Sequence, residues 1–424
     1  MNTAGHSKAI TKLLLHLHPN KVDAQSIKFT RTFGLGGIAA LLFVMLFISG
    51  MLLRFAYVPS VKGAYDSIIE LENQVLFGQL LRNLHYWSGM ALVLVSFLHV
   101  LRVFYTQSIY HERRKNWIYG LLIMFLVVFS NFTGYLLPWD QLSFWAVTIM
   151  TNMLSYIPFV GDAIADMVRG GDEVTEITLL RFYHFHTGLL PLLMVFLMSV
   201  HFWLVRKSKG VTVQNSDEKV LVPTYPNLVF KEILVALIVI IVLFILSMII
   251  NAPLQGKADP LISPNPSKAP WYFMGFQELL LHIHPGFGIF IIPLLVTVFL
   301  VYIPFVKYTD LNVGVWFNSN KGKKLTIISV VYALVLTLLV ILSSEFFLDL
   351  RNWMPQVPLL ISTGLLLLLL YLVPAAAFLY FLKSKYNASK IDLMMAMFTI
   401  IIVAYVVMTI VGSLFRGEGM HLFA

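Results

Sequence analysis

The feature that most constrains this chain is a series of long apolar runs. A bilayer core of about 30 Å is crossed by about 20 apolar helical residues. The chain is 58% hydrophobic and 12% charged, which is not the composition of a soluble domain. The sequence therefore predicts an all-α integral membrane protein with about nine spans, at roughly 33–54, 79–105, 117–137, 181–205, 230–250, 286–306, 324–346, 357–383 and 391–413.

The distribution of charge predicts the orientation of these spans. The net charge is +9, and the basic residues gather in alternate loops while the intervening loops are acidic or neutral. This alternation follows the positive-inside rule, so it predicts membrane lipid rather than nucleic acid as the partner of the chain. We expect the N-terminus in the cytoplasm and the C-terminus outside. The basic groups are Lys8 to Arg31, Arg113 to Lys115, Arg206 to Lys209, Lys321 to Lys324 and Lys383 to Lys390.

Histidines lie inside two of the predicted spans. His85 and His99 are 14 residues apart, and His186 and His201 are 15 apart. At about 100° per helical residue, His99 lies within about 40° of the helix face that carries His85, and His201 lies within about 60° of the face that carries His186. His184 is 17 residues from His201 and falls roughly 100° off that face. His186 is therefore the predicted partner of His201, and His184 is predicted to hold nothing.

The two histidine spans run in the same direction, with a loop and one further span between them. His85 should then lie level with His186 near the outer side, and His99 level with His201 near the cytoplasmic side. Two imidazoles at each of two levels are typical of bis-histidine haem, which serves electron transfer. The alternative for each histidine is a hydrogen bond to a neighbouring helix. Zinc would need further ligands, and the absence of cysteine excludes thioether-attached haem on this chain.

Glycines on the first and third spans, which carry none of these histidines, repeat the same interval. Gly36 and Gly50 are 14 residues apart, and so are Gly120 and Gly134. A flat macrocycle in a four-helix bundle needs helices without side chains where its edge passes. The matched interval favours haem clearance over simple helix packing.

Arginines near the histidines are candidate partners for anionic haem propionates, since guanidinium groups pair with carboxylates. The alternative is anchoring of helix ends at the membrane surface. The candidates are Arg82, Arg102, Arg181 and Arg206.

Four stretches together make the chain resemble cytochrome b of quinol-oxidising bc-type complexes. They are RNLHYWSG…FLHVLR, GYLLPWD, RFYHFHTGLLP…VHFWLVRK and APWYF, and the resemblance covers roughly residues 30–310 and, more loosely, residues up to about 383. The 14 and 15 spacings are similar to the photosynthetic branch of the family. Unlike that branch, the chain carries both halves together, adds a final span at 391–413, and has Gly34 near the position of the cysteine that holds a covalent haem.

The resemblance implies a domain order. It predicts a cytoplasmic segment at 1–32 and a dihaem four-helix bundle with outer loop helices at 33–210. Further transmembrane helices with an outer quinol loop (251–285) would follow at 211–383, and an additional helix and tail at 384–424.

The resemblance also implies a function: quinol oxidation at the outer side, electron transfer through two non-covalent b haems to an inner quinone site, and a contribution to the proton gradient. The expected partners are a Rieske-type iron–sulfur protein, a c-type cytochrome and a second copy of the chain, in a bacterial inner membrane. The alternatives are a dihaem membrane anchor of another quinone-linked oxidoreductase and a non-redox transporter.

The family's outer quinol pocket matches Phe132, Tyr135, Pro270, Trp271 and Tyr272, with Tyr135 and Tyr272 as candidate catalytic groups. As an alternative, these aromatics could belong to the interfacial belt.

The family motif Pro-Glu-Trp-Tyr reads Ala269-Pro270-Trp271-Tyr272 here, so proline replaces the usual proton-accepting glutamate. Relatives without that glutamate tend to use menaquinol, which is therefore the expected substrate. Glu278 is the nearest downstream carboxylate, and we expect burial to raise its pKa into a useful range. If Glu278 does not accept the quinol proton, Asp140 is the next candidate.

The inner quinone site should lie near the cytoplasmic ends of the first, fourth and fifth spans. Arg206 and Lys231 are candidates for stabilising a reduced quinone there.

Overall fold

The computed structural model describes residues 19–208, 210–212 and 220–423. His16 and His18, to which the sequence assigns no haem, lie outside these ranges. Within them, nine helices are long and apolar enough to cross a membrane, as the sequence predicts. They are α1 (Leu35–Leu53), α2 (Gly78–Tyr105), α3 (His111–Leu136), α4 (Glu176–Lys207), α5 (Thr224–Ile249), α6 (Phe287–Phe305), α7 (Asn320–Phe346), α8 (Leu360–Tyr386) and α9 (Lys390–Leu414).

Shorter helices occupy the loops between these spans. In the two long segments that the sequence predicts on the outer side, they fill most of 138–180 and the latter part of 251–285, and we name the one after α5 the outer-loop helix (Trp271–His282). Asp140 caps one of them, since its carboxylate accepts a hydrogen bond from Ser143 N at 2.9 Å. The remaining short helices are Phe29–Thr32, Ala64–Gln74, Gln141–Met153, Gly161–Arg169 and Leu350–Trp353.

The sequence did not predict the one short sheet in the described ranges. Strand β1 (Lys21–Asp23) pairs antiparallel with β2 (Leu221–Pro223), with Val22 opposite Val222. This pairing joins the segment before α1 to the segment before α5. It is too short to give a period-two pattern that the sequence could reveal.

The first four spans form a bundle in which α1 packs along α2 and α3 packs along α4. Its core contains Leu42 of α1, Leu92 of α2, Val127 of α3 and Met194 of α4, all nearly fully buried. α5 lies against α1 and α2, and α9 packs between α7 and the outer-loop helix. The bundle therefore brings the two histidine-bearing helices, α2 and α4, into one core.

Candidate functional site

The outer histidine pair lies in the bundle core with a gap between its rings. The ring centres of His85 and His186 are 6.1 Å apart, and the ring planes cross at 79°. A metal bound by two imidazoles at about 2 Å each would hold ring centres roughly this far apart. The spacing fits an iron atom between the two rings.

Hydrogen bonds at the other ring nitrogen set the tautomer of this pair. Ser49 Oγ donates to the Met45 carbonyl at 2.7 Å, so it accepts from His85 Nδ1 at 2.9 Å. His186 Nδ1 donates to the Ser130 carbonyl at 2.9 Å. Both imidazoles thus carry their proton on Nδ1, which leaves the Nε2 lone pairs for a metal.

The inner pair comes from the other ends of α2 and α4. His99 and His201 lie close enough to interact electrostatically. The Nδ1 atom of His99 is buried and has no hydrogen-bond partner among the described residues, whereas the His201 ring lies by the main chain of Asn116. The four-helix bundle therefore holds two imidazole pairs, one toward each end.

A π-helical turn explains the unequal histidine spacings. Residues Phe185–Leu189 of α4 form the turn, and Leu190 N bonds to the Phe185 carbonyl. A π turn accommodates one extra residue in a helix. The 15-residue interval from His186 to His201 therefore turns through nearly the same angle as the 14-residue interval on α2. No residue pattern in the sequence predicts this turn.

Each of the four glycines faces one of the four imidazoles. A Cβ at Gly134 would lie 2.5 Å from His186 Cε1, and one at Gly50 would lie 3.1 Å from His85 Cε1. The predicted clearance was for the edge of the macrocycle, but the structure sets the imidazole itself against the glycine. The remaining distances are 3.3 Å for Gly36 to His99 and 3.6 Å for Gly120 to His201.

His184 lies apart from both pairs. It is exposed, and its ring contacts the neighbouring Tyr183 at a centre distance of 5.6 Å. Among the described residues, no three histidine or acidic side chains converge as a zinc site would require. The donor set fits two bis-imidazole sites.

Arg102 lies in a group of positive charges at the inner end of the bundle. It is buried, and the positive charges of Arg113 and Arg31 act on it. Its Nε donates to the Arg31 carbonyl at 2.9 Å, and no carboxylate pairs with it in the described ranges. A cluster of this kind fits an anionic group such as a propionate.

The outer arginines have other contacts. Arg82 is ion-paired with Glu72 and donates to the carbonyls of Ala252 and Pro253, so it fastens two outer segments to α2. Arg181 donates to the Met167 carbonyl. The sequence did not reveal these partners, because they lie on loops whose path it does not fix. Arg206 is exposed in the last turn of α4.

Aromatic side chains of α3 and the outer-loop helix meet above the outer histidine pair. The rings of Phe132 and Phe273 are 5.7 Å apart and nearly perpendicular. The hydroxyl of Tyr272 is buried, has no hydrogen-bond partner among the described residues, and lies near Tyr135 and Tyr86. Burial raises the pKa of Tyr272 well above its ordinary value, so this hydroxyl stays protonated and can donate a hydrogen bond.

Two residues lie next to this aromatic cluster. Pro270 is the N-cap of the outer-loop helix, and Trp271 is 40% exposed with its ring perpendicular to that of Tyr272. Asp140 is buried within electrostatic range of Tyr135, and its second oxygen accepts from Gln255 N at 2.9 Å. Asp140 thus ties the 251–285 loop to the end of α3.

The expectation that burial raises the pKa of Glu278 into a useful range is wrong. Its carboxylate is fully buried, but Arg416 contacts both oxygens, at 2.6 and 3.0 Å, and His282 contacts one at 2.9 Å. Burial acts to raise the pKa of Glu278, yet these hydrogen bonds and charges outweigh it and the pKa is lowered. The sequence showed no adjacent basic residue, because Arg416 is 138 residues away. Glu278 is therefore an ion-pair partner rather than a poised proton acceptor.

At the end of the bundle that the sequence predicts to face the cytoplasm, Lys231 is exposed at the start of α5 and donates to the Ile27 carbonyl at 3.0 Å. The adjacent Gly34 faces Val235 of α5, where a Cβ would lie 3.5 Å away. The ends of α1 and α5 thus meet where the sequence predicts an inner site.

Comparison with known proteins relates the first half of the chain to one family. The family model described as cytochrome b/b6/petB matches residues 21–209. Cytochrome b6 of Synechococcus sp. (strain JA-3-3Ab) is 42% identical over 173 residues, which are 41% of this chain and 80% of that protein. Cytochrome b6 of Prochlorococcus marinus (strain MIT 9303) is 41% identical over 173 residues, which are 41% of this chain and 79% of that protein.

The likeness of fold extends further along the chain. A chain of the solved structure titled hyperthermophilic respiratory Complex III superposes with a TM-score of 0.68 at 24% identity. The match covers 88% of this chain and 96% of that chain. The family match at 21–209 contains the two histidine pairs, the glycines that face them and the arginines of the bundle, whereas the outer-loop helix, α9 and Arg416 lie beyond it.

Proposed function

This chain belongs to the cytochrome b/b6 family, and we propose that it is the cytochrome b subunit of a respiratory, quinol-oxidising bc-type complex. The observation that carries the proposal is the pair of imidazole sites at two depths of one bundle, each imidazole facing a glycine. A chain that moves electrons across a bilayer needs redox centres at both levels, held within an apolar wall.

In this proposal His85 and His186 hold the outer haem b, and His99 and His201 the inner one, without covalent attachment. Haem held by two histidines supplies one-electron transfer between the two faces of the membrane. The protein holds the outer imidazoles in the required tautomer through Ser49 and the Ser130 carbonyl. Arg102 would pair with an inner propionate.

The outer pocket between α3 and the outer-loop helix would take the quinol. Phe132 offers a ring face, and the protonated Tyr272 hydroxyl would donate to a quinol oxygen. We propose Asp140 as the carboxylate that accepts a proton, with Tyr135 between it and the quinol. The support is that Tyr135 lies within electrostatic range of both Asp140 and Tyr272, and that Asp140 can accept a further hydrogen bond on each oxygen.

The inner quinone site would lie where α1, α4 and α5 end, with Arg206 and Lys231 as cationic groups. This assignment places the N-terminus in the cytoplasm and the C-terminus outside a bacterial inner membrane. The proposed partners are a Rieske-type iron–sulfur protein, a c-type cytochrome acceptor and a second copy of the chain. Menaquinol is the proposed substrate, as the Ala269-Pro270 loop implies.

The test is to purify the complex through a tag on this chain and to measure quinol-dependent reduction of a c-type cytochrome. We expect an iron–sulfur protein to co-purify and menaquinol to be oxidised faster than ubiquinol. A complex that contains haem but lacks the iron–sulfur protein and this activity would point to a membrane anchor of another oxidoreductase. A chain without haem would contradict the proposal.

A further inference from the structure

The last helix packs closely against the outer-loop helix. A Cβ at Gly275 would lie 2.5 Å from Thr409 Oγ1 and 2.7 Å from the Tyr405 carbonyl. A Cβ at Gly412 would lie 2.9 Å from Met274 Cε and 3.3 Å from the Met274 carbonyl. Each helix thus has a glycine where the other helix packs against it, and the two main chains approach each other closely at both glycines.

Hydrogen bonds from α9 and the tail reach the segment just before and within the outer-loop helix. The Tyr405 hydroxyl donates to the Tyr272 carbonyl at 2.5 Å. Lys268 Nζ donates to the Ser413 carbonyl at 3.1 Å. Gly419 N donates to Asn265 Oδ1 at 2.5 Å. These bonds fix residues 265–272, which lead into the outer pocket.

Arg416 closes the interface with a buried ion network. Its side chain is 1% exposed, and it binds Glu278 through two nitrogens and Glu345 of α7 at 2.7 Å. Glu278 also accepts from His282 at 2.9 Å, and His282 Nδ1 lies 2.6 Å from Ser344 Oγ. A buried arginine between two carboxylates holds its elements in one arrangement, because loss of one partner leaves a charge uncompensated.

We infer that Arg416 and α9 are a positioning device for the outer quinol pocket, which hold the outer-loop helix so that Tyr272 faces Tyr135. This inference rests on the proposed function and deepens it. Direct contacts link α9 and the tail to the outer-loop helix. Arg416 forms an ion pair with Glu278, the Tyr405 hydroxyl donates to the Tyr272 carbonyl, and Tyr272 lines the proposed pocket. Arg416 and Tyr405 touch no substrate and act through Tyr272.

Two variants of the whole complex test the inference. Arg416→Met removes the guanidinium and leaves Glu278 without its main partner. Tyr405→Phe removes a single hydrogen bond and keeps the ring. Arg351→Met is the matched control, because Arg351 is an exposed arginine of the segment between α7 and α8. Each complex is assayed for quinol KM and kcat, for haem content, and for haem reduction through the inner site while an outer-site inhibitor is present.

For Arg416→Met we expect the quinol KM to rise at least about tenfold, and for Tyr405→Phe about two- to tenfold. Haem content and the inner-site rate should change less than twofold, as should every value in Arg351→Met. The inference is overturned if both test variants keep the wild-type KM, or if the inner-site rate falls as much as the outer-site rate. If wild-type complex oxidises no quinol, the proposed function fails instead.

Discussion

The main chain at Gly134 approaches the imidazole of His186 so closely that a Cβ there would lie 2.5 Å from Cε1. Gly134→Ala should therefore displace the imidazole and weaken the outer haem. Overpacking costs about 1–3 kcal/mol, which is roughly 5- to 150-fold in binding. We expect the outer haem to be lost selectively, as measured by haem content and by redox titration of the purified chain.

Gly37→Ala is the control for this variant, because a Cβ at Gly37 would have nothing within 4 Å. It should retain both haems. Gly120→Ala, with a distance of 3.6 Å to His201, should have a milder effect than Gly134→Ala. Equal haem content in the Gly134 and Gly37 variants would argue against the packing described.

The variants His184→Asn and His186→Asn test which of these two histidines binds the outer haem. His184 is exposed and has no part in either pair, so its variant should keep two haems. The His186 variant should keep one, with the spectrum of the inner site. Loss of the outer haem in His184→Asn would reverse the assignment.

Asp140→Asn tests the proposed proton acceptor. Asparagine is also a good N-cap, so the bond from Ser143 N should be kept, while the bond from Gln255 N to the second oxygen is lost. General bases contribute about 10²–10⁴ in rate, and we expect quinol oxidation to fall at least about tenfold with both haems present. Asp259→Asn, on the 251–285 loop that Asp140 contacts, is the control and should be active. Undiminished turnover in the Asp140 variant would move the acceptor role to another group.

The ion network predicts a specific acid dependence. Arg416 and His282, with Glu345 beyond them, surround Glu278, whose pKa is lowered from its ordinary value of 4.5. A carboxyl with a lowered folded-state pKa stabilises the fold above its unfolded value and loses that contribution as the pH falls through the folded value. The network should therefore be intact from neutral pH down to pH 4.5 and weaken below it.

Thermal unfolding of the complex as a function of pH measures this dependence. Wild type should lose stability below pH 4.5 more steeply than Glu278→Gln, which cannot ionise at this position. Parallel curves for the two proteins in acid would show that Glu278 is not ionised in the folded chain.

The sequence predicted the spans and the histidine pairs because both depend on local patterns. An apolar run of bilayer length is read directly, and His85 and His99 share a face through simple helical periodicity. The pairing of His186 rather than His184 came from the same rule. The π turn at Phe185–Leu189 was missed, since it depends on backbone hydrogen bonds that no residue type announces.

What the sequence could not predict depends on contacts between distant segments. Glu278 was interpreted from its neighbours alone, whereas Arg416 reaches it from beyond α9. Arg82 is a candidate propionate partner because it is close to His85 in the sequence, whereas in the structure it pairs with Glu72 of the helix Ala64–Gln74. In both cases the charge balance of a buried group was set by tertiary packing.

The number of haems per chain tests the two-site bundle most directly. The purified chain is assayed by pyridine haemochrome analysis against protein concentration, together with a reduced-minus-oxidised spectrum. We predict two b-type haems for each chain, falling to one in His85→Asn and in His99→Asn. One haem in the wild type, or none, would contradict the two-site bundle.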